Sequence, residues 1–335
     1  MATINDVCKL AGVSKATVSR VMNGTGQVKE STAKVVLQAM AQLNFKPNRL
    51  AQALANNSAN SIGLILSDFS GDYFGTILKR AAKSAEAAGK QLIVTDGHDD
   101  HLREIEAIDS LVEHCCDAIV LYSRSLSQQD LSEIKARINI PLVIINRQLE
   151  DKSIDAVYFD QQSIAQLAAN QLLDLNHRDI AYITSPLNAS TGQLRLKAYK
   201  EALIARDIVP NDALIAEGEH TMESGYKACQ KILATGLPFT ALFASNDEMA
   251  IGAMKALTEV GKSIPNDISI IAIDNSPLAQ FVMPALSSVE LPIKALTDTA
   301  MKIALDLAAG KEVQQGVPGF QGKVVLRDST AKYLG

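Results

Sequence analysis

The fold of the N-terminal part of the chain is decided by residues 6–23, which read DVCKLAGVSKATVSRVMN. Their spacing predicts two short helices joined by a tight turn at Gly12, with Ser14 capping the second helix. Each helix carries small apolar residues that can pack against the other: Val7, Ala11, Val18 and Val21. This pattern is typical of a helix-turn-helix, whose second helix lies in the DNA major groove.

The outward side of the second helix carries the residues that would meet DNA. Lys15 and Ala16 stand at its start, where side chains reach base edges, and Arg20 suits a bidentate contact with guanine. Four more residues are expected to contact phosphates, which set position rather than sequence: Thr17, Ser19, Asn23 and Lys29. Outside such a motif, a lysine such as Lys15 would be interpreted as a solvated surface residue.

The charge of the chain is divided unevenly. The formal net charge is −5, yet residues 1–57 contain seven basic and two acidic residues, against 25 basic and 35 acidic residues in the remainder. A basic head on an acidic body favours a nucleic-acid contact confined to the head. A basic segment alone could also be a solvated face.

The composition is that of a globular protein with room for two or three domains. The 335 residues are 47% hydrophobic and 21% charged, and no apolar run is long enough to span a bilayer. Because the first residues lack the apolar stretch of an export signal, we expect a cytoplasmic location and no membrane partner. The four cysteines lack metal-like spacing, so we expect buried, reduced thiols, no metal and no cofactor.

A change in sequence texture predicts where the domains divide. A third helical pattern runs from Glu30 to Leu43 and stops at Pro47, a short helical run follows at 48–55, and the polar residues 56–60 look like a linker. The predicted domains are a helix-turn-helix domain over 1–47, a hinge helix and linker over 48–60, and a two-lobed domain over 61–335.

From residue 61 onward, short apolar runs alternate with helical patterns. Ile62–Leu66 suits a strand covered on both faces. One alternating series includes strands at Gln91–Thr95, Ala118–Tyr122 and Pro141–Ile145. A second series begins at Ile180–Thr184 and includes Leu196–Ala205, Ala213–Ala216 and Ala241–Ala244. Alternation predicts parallel sheets with right-handed crossovers. The predicted fold is a small all-α helix-turn-helix head followed by two doubly wound α/β lobes with a cleft between them.

Over essentially its whole length the chain resembles the lactose/galactose repressor family of bacterial transcription factors. Residues 6–23 fit the family's helix-turn-helix, 43–48 and 51–55 fit its third helix and hinge, and SNDEMAIGAM (245–254) and DISII (267–271) fit two further motifs. Three stretches resemble the subgroup of galactose repressors and repressors of cryptic β-glucoside operons: DFS (68–70), INR (145–147) and FQGK (320–323).

The resemblance implies a periplasmic-binding-protein-like body and a homodimeric, non-enzymatic repressor that binds double-stranded operator DNA. In such repressors, paired hinge helices wedge a leucine into the minor groove, and Leu54 holds that position here. Packing of Leu54 inside its own subunit is the alternative. The hinge is too short to be a stable helix alone, so it should order only on DNA. Cys8 stands where the family usually has alanine, a change between small apolar groups that should be tolerated.

The resemblance also implies that residues 61–335 bind an effector, a sugar inducer of galactoside or β-glucoside type, and form the dimer. No leucine heptads follow residues 327–329, which favours a dimer over a tetramer built by a tail coiled coil. Ligands of such lobes bind beyond the carboxyl ends of the strands. Carboxylates, amides and guanidinium groups bind sugar hydroxyls, and a flat aromatic ring covers the apolar face of the sugar.

The candidate effector contacts come from both lobes. They are Asp68, Tyr73, Phe74, Asn146 and Arg147 from the first lobe, and Arg195, His220, Asn246 and Asp274 from the second. The resemblance places Arg195, Asn246 and Asp274 at hydroxyl-binding positions, and Phe74 at a stacking position. It also places Asn146 where some members carry aspartate and His220 where one carries tryptophan. Structural alternatives remain, since Asp274 could cap a turn, Arg195 could pair with a carboxylate and Phe74 could belong to the core.

Two other functions remain open at this point. The same fold could take a corepressor, either a purine stacked on Tyr73 and Phe74 or a sugar phosphate, and Arg147 could recognise such an anion. An enzyme or a transport-type binding protein could also use these lobes. The sequence disfavours both, because it contains no glycine-rich phosphate loop, Cys/His cluster, nucleophile elbow or export signal.

Overall fold

The computed structural model describes residues 2–23, 26–45, 58–313 and 316–335. The chain divides into two compact units, residues 1–60 and 61–335. The predicted hinge helix, with Leu54, lies outside the described residues. Within the described residues, no helix combines the length and the apolarity needed to cross a membrane.

The first unit contains three helices: α1 (Ile4–Ala11), α2 (Lys15–Asn23) and α3 (Glu30–Gln42). Val7, Val18 and Val36 are fully buried where the three helices meet. Gly12 ends α1 with φ of 65°, a left-handed conformation that costs glycine little. The Ser14 hydroxyl accepts the Thr17 N–H at 3.2 Å and so caps α2. The predicted helix-turn-helix is confirmed.

The first lobe of the second unit is a five-stranded parallel sheet in the order β2-β1-β3-β4-β5. Its elements follow one another along the chain: β1 (Ser61–Leu66), α4 (Gly71–Ala87), β2 (Gln91–Asp96), α5 (His101–Glu113), β3 (Ala118–Tyr122), α6 (Gln128–Arg137), β4 (Leu142–Ile145) and β5 (Asp155–Val157). All of β1 is buried. Leu64 and Leu66 pack in one core with α4, and Ile65 packs in a second core with α5 and α6. Helices therefore cover both faces of the sheet, as predicted.

The second lobe is a six-stranded sheet in the order β11-β10-β9-β8-β6-β7, parallel except for the edge strand β11. Its helices and strands are α7 (Gln161–Asp174), β6 (Ile180–Thr184), α8 (Ser190–Ile204), β7 (Ile215–Glu217), α9 (Met222–Ala234), β8 (Ala241–Ala244), α10 (Asp247–Glu259), β9 (Ser269–Asp274), β10 (Ser287–Glu290) and β11 (Lys323–Val325). Helix α11 (Ile293–Ala308) follows β10 in sequence but packs on α4 and on the first sheet.

The chain crosses three times between the lobes. It passes from β5 to α7, from β10 to α11, and from α11 back to β11. Phe159 and Phe320 are paired on adjacent crossings. The two lobes are therefore joined by three crossing segments, and buried residues of both sheets belong to one hydrophobic cluster. Such a connection permits hinge motion about a cleft.

The two predicted α/β series are confirmed, with local differences. Helix α8 begins at Ser190, earlier than the predicted start at Leu196. The residue before it, Ala189, makes no side-chain cap, so the sequence carries no capping signal at the observed start. The segment 213–216 contains the end of a 3₁₀ turn, Asp212–Leu214, before β7 begins. The prediction of buried thiols holds for Cys116 and Cys229, whereas Cys8 and Cys115 are half-buried.

A close approach of α9 and α10 gives a stability prediction. A Cβ at Gly252 would lie 1.9 Å from the Met222 carbonyl oxygen, so the helices would have to separate. We expect Gly252→Ala to lower the free energy of unfolding by about 1–3 kcal/mol, measured by urea denaturation. The control is Gly75→Ala in α4, where an added Cβ would meet no heavy atom of the described residues within 4 Å beyond its own helical backbone and chain neighbours. There alanine should stabilise by up to about 1 kcal/mol. Equal stability of both variants would contradict the packing argument.

Candidate effector site and DNA-reading surface

The outer face of α2 presents the predicted DNA-reading residues. Lys15, Ala16 and Arg20 are exposed. The Arg20 side chain lies next to Gly26, where an added Cβ would be 3.4 Å from its Cδ. The predicted base-reading residues thus share one accessible helix face, and their contacts with DNA remain a prediction.

The predicted phosphate contacts are distributed around that face. Thr17 and Ser19 are half-buried, and Lys29 is exposed where α3 begins. The Thr17 hydroxyl lies 3.0 Å from the Ser14 hydroxyl and so contributes to the start of α2. The Asn23 side chain lies outside the described residues.

A cavity of about 500 Å³ lies between the two lobes, beyond the carboxyl ends of the parallel strands. Eight of the nine effector candidates line it: Asp68, Tyr73, Phe74, Asn146, Arg195, His220, Asn246 and Asp274. We call this cavity the main cavity. Arg147 is the exception, because its Nη1 donates to the Leu126 carbonyl oxygen and its side chain lines a separate, smaller cavity. That these groups bind an effector remains a prediction.

Arg195 is held almost completely buried in the second lobe. Its Nε donates to Gln161 Oε1 at 2.8 Å, and its Nη1 donates to the Ser245 carbonyl oxygen at 2.5 Å. Both acceptors are uncharged oxygens, one of a side-chain amide and one of the main chain. Arg195 therefore does not form the pair with a helix carboxylate that the sequence left open. Within the described residues Nη2 makes no hydrogen bond, so it is the part of the guanidinium left for a ligand.

Asn246 caps α10 and also forms a hydrogen bond with the loop that follows β7. Its Oδ1 accepts the Met249 N–H and its Nδ2 donates to the His220 carbonyl oxygen, both at 2.9 Å. One amide hydrogen and one oxygen lone pair remain for a ligand. Because both restraints fix the amide plane, Asn246 presents a fixed donor–acceptor pair.

Asp274 ends β9 with φ of 114°, a conformation rare for a residue with a side chain. Burial and then the neighbouring carboxylate of Asp247 raise its pKa well above the ordinary value, while Arg195 opposes the shift. Burial also raises the pKa of Asp247 to about 6, although that carboxylate accepts from the Ser276 N–H and the Ser288 hydroxyl, each at 2.6 Å. The strained backbone conformation of Asp274 therefore coincides with a buried carboxyl group that lines the main cavity.

His220 is a neutral side chain in the main cavity. Burial, Arg124 and Arg195 lower its pKa to about 3. Near neutral pH its ring therefore offers one donor and one acceptor and no charge. That pairing suits a hydroxyl group, and the ring is smaller than the tryptophan found at this position in one family member.

Three aromatic rings from the first lobe form the apolar wall of the main cavity. Phe74 contacts Tyr73 and Tyr122 edge to face, with centroids 5.2 and 5.1 Å away. Phe74 is only 7% exposed, so it belongs to the lobe core as well as to the cavity wall. The Tyr73 hydroxyl is buried and has no hydrogen-bond partner within the described residues. Its burial raises its pKa, so it stays a protonated donor.

Arg124 is a site residue that the sequence reading missed. It is the second residue after the end of β3, and its guanidinium lies over the Tyr122 and Phe74 rings, 5.4 and 5.9 Å from their centroids. Burial alone would lower the pKa of its guanidinium, but Tyr122 and Asp99 raise it overall. The rule that ligands bind beyond strand ends could have found it, because β3 was correctly predicted.

Gln161 is the second missed residue, and it links the two lobes. Its Nε2 donates to Asn146 Oδ1 at 3.1 Å, and its Oε1 accepts from Arg195. Asn146 in turn donates to the Tyr122 hydroxyl at 3.0 Å. We call Tyr122, Asn146, Gln161, Arg195 and Ser245 the interlobe relay. Gln161 escaped notice because the helix it begins, α7, was not predicted.

Comparisons with known proteins extend over the whole chain. A family model for bacterial regulatory proteins of the lacI family matches residues 3–48, and one for the periplasmic binding protein-like domain matches residues 169–330. The HTH-type transcriptional regulator AscG of Escherichia coli (strain K12) is 38% identical over 331 residues, which cover 98% of both chains. The regulator GalR of the same organism is 34% identical over 331 residues, which cover 99% of this chain and 96% of its own.

A solved structure gives a similar result for the fold. The Lac repressor dimer bound to operator and the anti-inducer ONPF superposes with a TM-score of 0.87 at 28% identity, covering 98% of this chain and 99% of its own. The helix-turn-helix and both lobes therefore recur together in these proteins.

The interlobe relay generates a stability prediction. Gln161→Leu would leave Nε of the buried Arg195 and Oδ1 of Asn146 without partners, and an unpaired buried group costs about 1–3 kcal/mol. We expect this loss in urea denaturation of the variant. Gln129→Leu is the control, because Gln129 is exposed on α6 and its amide donates to Glu133 at the surface. Equal stability of the Gln161 variant and the wild type would contradict a role for the relay.

Proposed function

Because the chain belongs to the lacI family of bacterial regulatory proteins, we propose that it is a transcriptional repressor that a sugar inducer releases from its operator. The observation that carries the proposal is the convergence of Asp274, Asn246, Arg195 and His220 with Asn146 and Tyr73 in one cavity between two lobes. The chain is a DNA-binding regulator and not an enzyme, like the relatives it matches.

The chemistry of the main cavity supports a sugar. Each sugar hydroxyl needs a donor and an acceptor, and fixed amide, imidazole, carboxyl and guanidinium groups provide both. The aromatic wall formed by Tyr73, Phe74 and Tyr122 provides the apolar surface for a sugar ring. A volume of about 500 Å³ lies within the usual range for small-molecule sites.

The DNA-binding roles of individual residues belong to the proposal. Lys15, Ala16 and Arg20 read base edges in the major groove, and Thr17, Ser19, Asn23 and Lys29 contact phosphates. Leu54 in the hinge, residues 48–60, opens a central base step from the minor groove. A methyl group at Ala16 offers little discrimination, so base choice rests on Lys15 and Arg20.

Induction follows from the two-lobed construction. Residues 61–335 bind the effector and form a homodimer, the state in which Lac repressor is bound to its operator. A sugar that contacts both lobes favours the closed cleft and shifts the population toward a state in which the two hinges separate. Operator binding places the protein in the cytoplasm of its cell.

A purine corepressor is the second candidate, favoured by the three aromatic rings in the same cavity. Titration of galactosides, β-glucosides and purines against operator binding separates the two signs of response. Release of operator by a sugar supports the proposal. Tighter operator binding with a purine, together with no response to sugars, would replace it.

The first functional prediction concerns induction. Asp274→Ala removes a carboxyl group from the main cavity and should abolish the effect of the inducing sugar on operator binding, while repression without sugar persists. Fluorescence anisotropy of labelled operator measures both quantities. The control is Asp212→Ala, whose exposed carboxylate pairs with Lys200 and does not line the main cavity. Normal induction in the Asp274 variant would remove Asp274 from the site.

The second functional prediction concerns DNA reading. Arg20→Ala should weaken operator binding by about 1–3 kcal/mol and leave sugar binding intact, because one bidentate guanine contact is lost. Lys9→Ala removes the same charge from the exposed side of α1 and should weaken operator and random DNA alike. An equal loss on both DNAs in the Arg20 variant would assign Arg20 to phosphates instead.

A further inference from the structure

A second cavity, of about 290 Å³, adjoins the main cavity. Its walls come from the segments after β3 and β4 in the first lobe and from the start of α8 in the second. Arg124, Asn146 and Thr191 line both cavities. One ligand could therefore place different groups in the two cavities.

The two cavities differ in charge. Six acidic residues line the main cavity: Asp68, Asp72, Glu219, Asp247, Glu248 and Asp274. No acidic residue of the described chain lines the second cavity. Arg147 lines this cavity and not the main one, whereas Arg124 lines both and its Nη1 lies 3.5 Å from Asp99 Oδ2. A neutral, hydroxyl-rich group fits the first environment, whereas a negatively charged group fits the second.

Arg147 is half-buried and has no carboxylate within ion-pair distance among the described residues. Its Nη1 donates to the Leu126 carbonyl oxygen, which satisfies one of five donors. Burial lowers its pKa, an effect that the more distant carboxylates of Glu104 and Asp130 oppose. Glu104 lies behind the cavity wall and accepts the Ser123 hydroxyl. A half-buried guanidinium with free donors is a group that an oxyanion would stabilise.

Neutral donors complete the lining. The Ser125, Ser190 and Thr191 side chains reach the second cavity. The first turn of the 15-residue helix α8 also faces it, and Ala189, which precedes that helix, caps none of its N–H groups with a side chain. These donors and the helix dipole add to the attraction of the arginines for an anion.

We propose that the second cavity binds an anionic substituent of the effector, a phosphate monoester or a carboxylate, while the sugar ring occupies the main cavity. The proposal rests on the proposed sugar response and names the class of sugar. A phosphate makes fuller use of two guanidinium groups and several hydroxyls than a carboxylate does, so we expect a sugar phosphate to bind best.

The test compares matched ligands on the full-length protein by calorimetry. D-Glucose, D-galactose and methyl β-D-glucoside are each titrated beside the 6-phosphate and the corresponding uronic acid or uronide. The phosphorylated member of at least one pair should bind about tenfold more tightly or better than its parent. Inorganic phosphate alone should raise the Tm of the wild type. A carboxylate that outcompetes the phosphate would support the same site with the other anion.

Two variants connect this preference to the second cavity. Arg147→Gln should reduce the ratio of phosphate to parent affinity toward one and cancel stabilisation by inorganic phosphate. Ser190→Asp should do the same by repulsion, and it is expected to fold, because a carboxylate stabilises the first turn of a helix. The control is Arg137→Gln, an exposed arginine on α6 paired with Asp109, which should keep the wild-type ratio.

Each outcome has a distinct meaning. If sugars bind and release the operator but no anionic member gains affinity, the second-cavity proposal is overturned and the proposed function stands. Retention of the phosphate preference in both variants would also overturn it. If neither sugars nor their anionic forms bind or release the operator, both proposals fail together.

Discussion

The side-chain amide of Gln161 is the contact on which the arrangement of the candidate site depends. Its donor holds Asn146 of the first lobe and its acceptor holds Arg195 of the second, at a point where the chain crosses between lobes. An amide can do this because it carries both functions on one rigid plane. A change in the angle between the lobes must therefore stretch or break one of these bonds, so ligand binding and lobe orientation are coupled at this residue.

Burial then sets the protonation of the groups around the relay. Burial lowers the pKa of His220 and raises the pKa of Asp247 and Asp274, because in each case it disfavours the charged form of the group. The main cavity thus presents a neutral imidazole and carboxyl groups near Arg195. Arg147 lines the second cavity, whereas the carboxyl groups of Asp247 and Asp274 line the main cavity. This separation makes the division between a hydroxyl-binding part and an anion-binding part physically consistent.

Local pattern predicted a large part of this molecule. Apolar spacing and one glycine predicted α1 and α2, and short apolar runs predicted β1, β3 and β8, since these features act over a few residues. Helices α6, α7 and α11 and strands β5, β10 and β11 were not predicted, and all of these except α6 adjoin a crossing between the lobes. Eight of nine proposed effector residues line one cavity, whereas Arg147, adjacent to Asn146 in sequence, lies in another.

The sequence by itself determined the helix-turn-helix, the alternation of strands and helices, and the strand ends at which Asn146, Asn246 and Asp274 stand. Hydrophobic periodicity and capping encode these features locally. Only the tertiary structure decided that α11 returns to the first lobe, that Gln161 joins Asn146 to Arg195, and that Arg147 lies in a second cavity with no carboxylate among its described lining residues. Those outcomes depend on which distant segments pack together, and packing between distant segments has no signature in a short stretch of sequence.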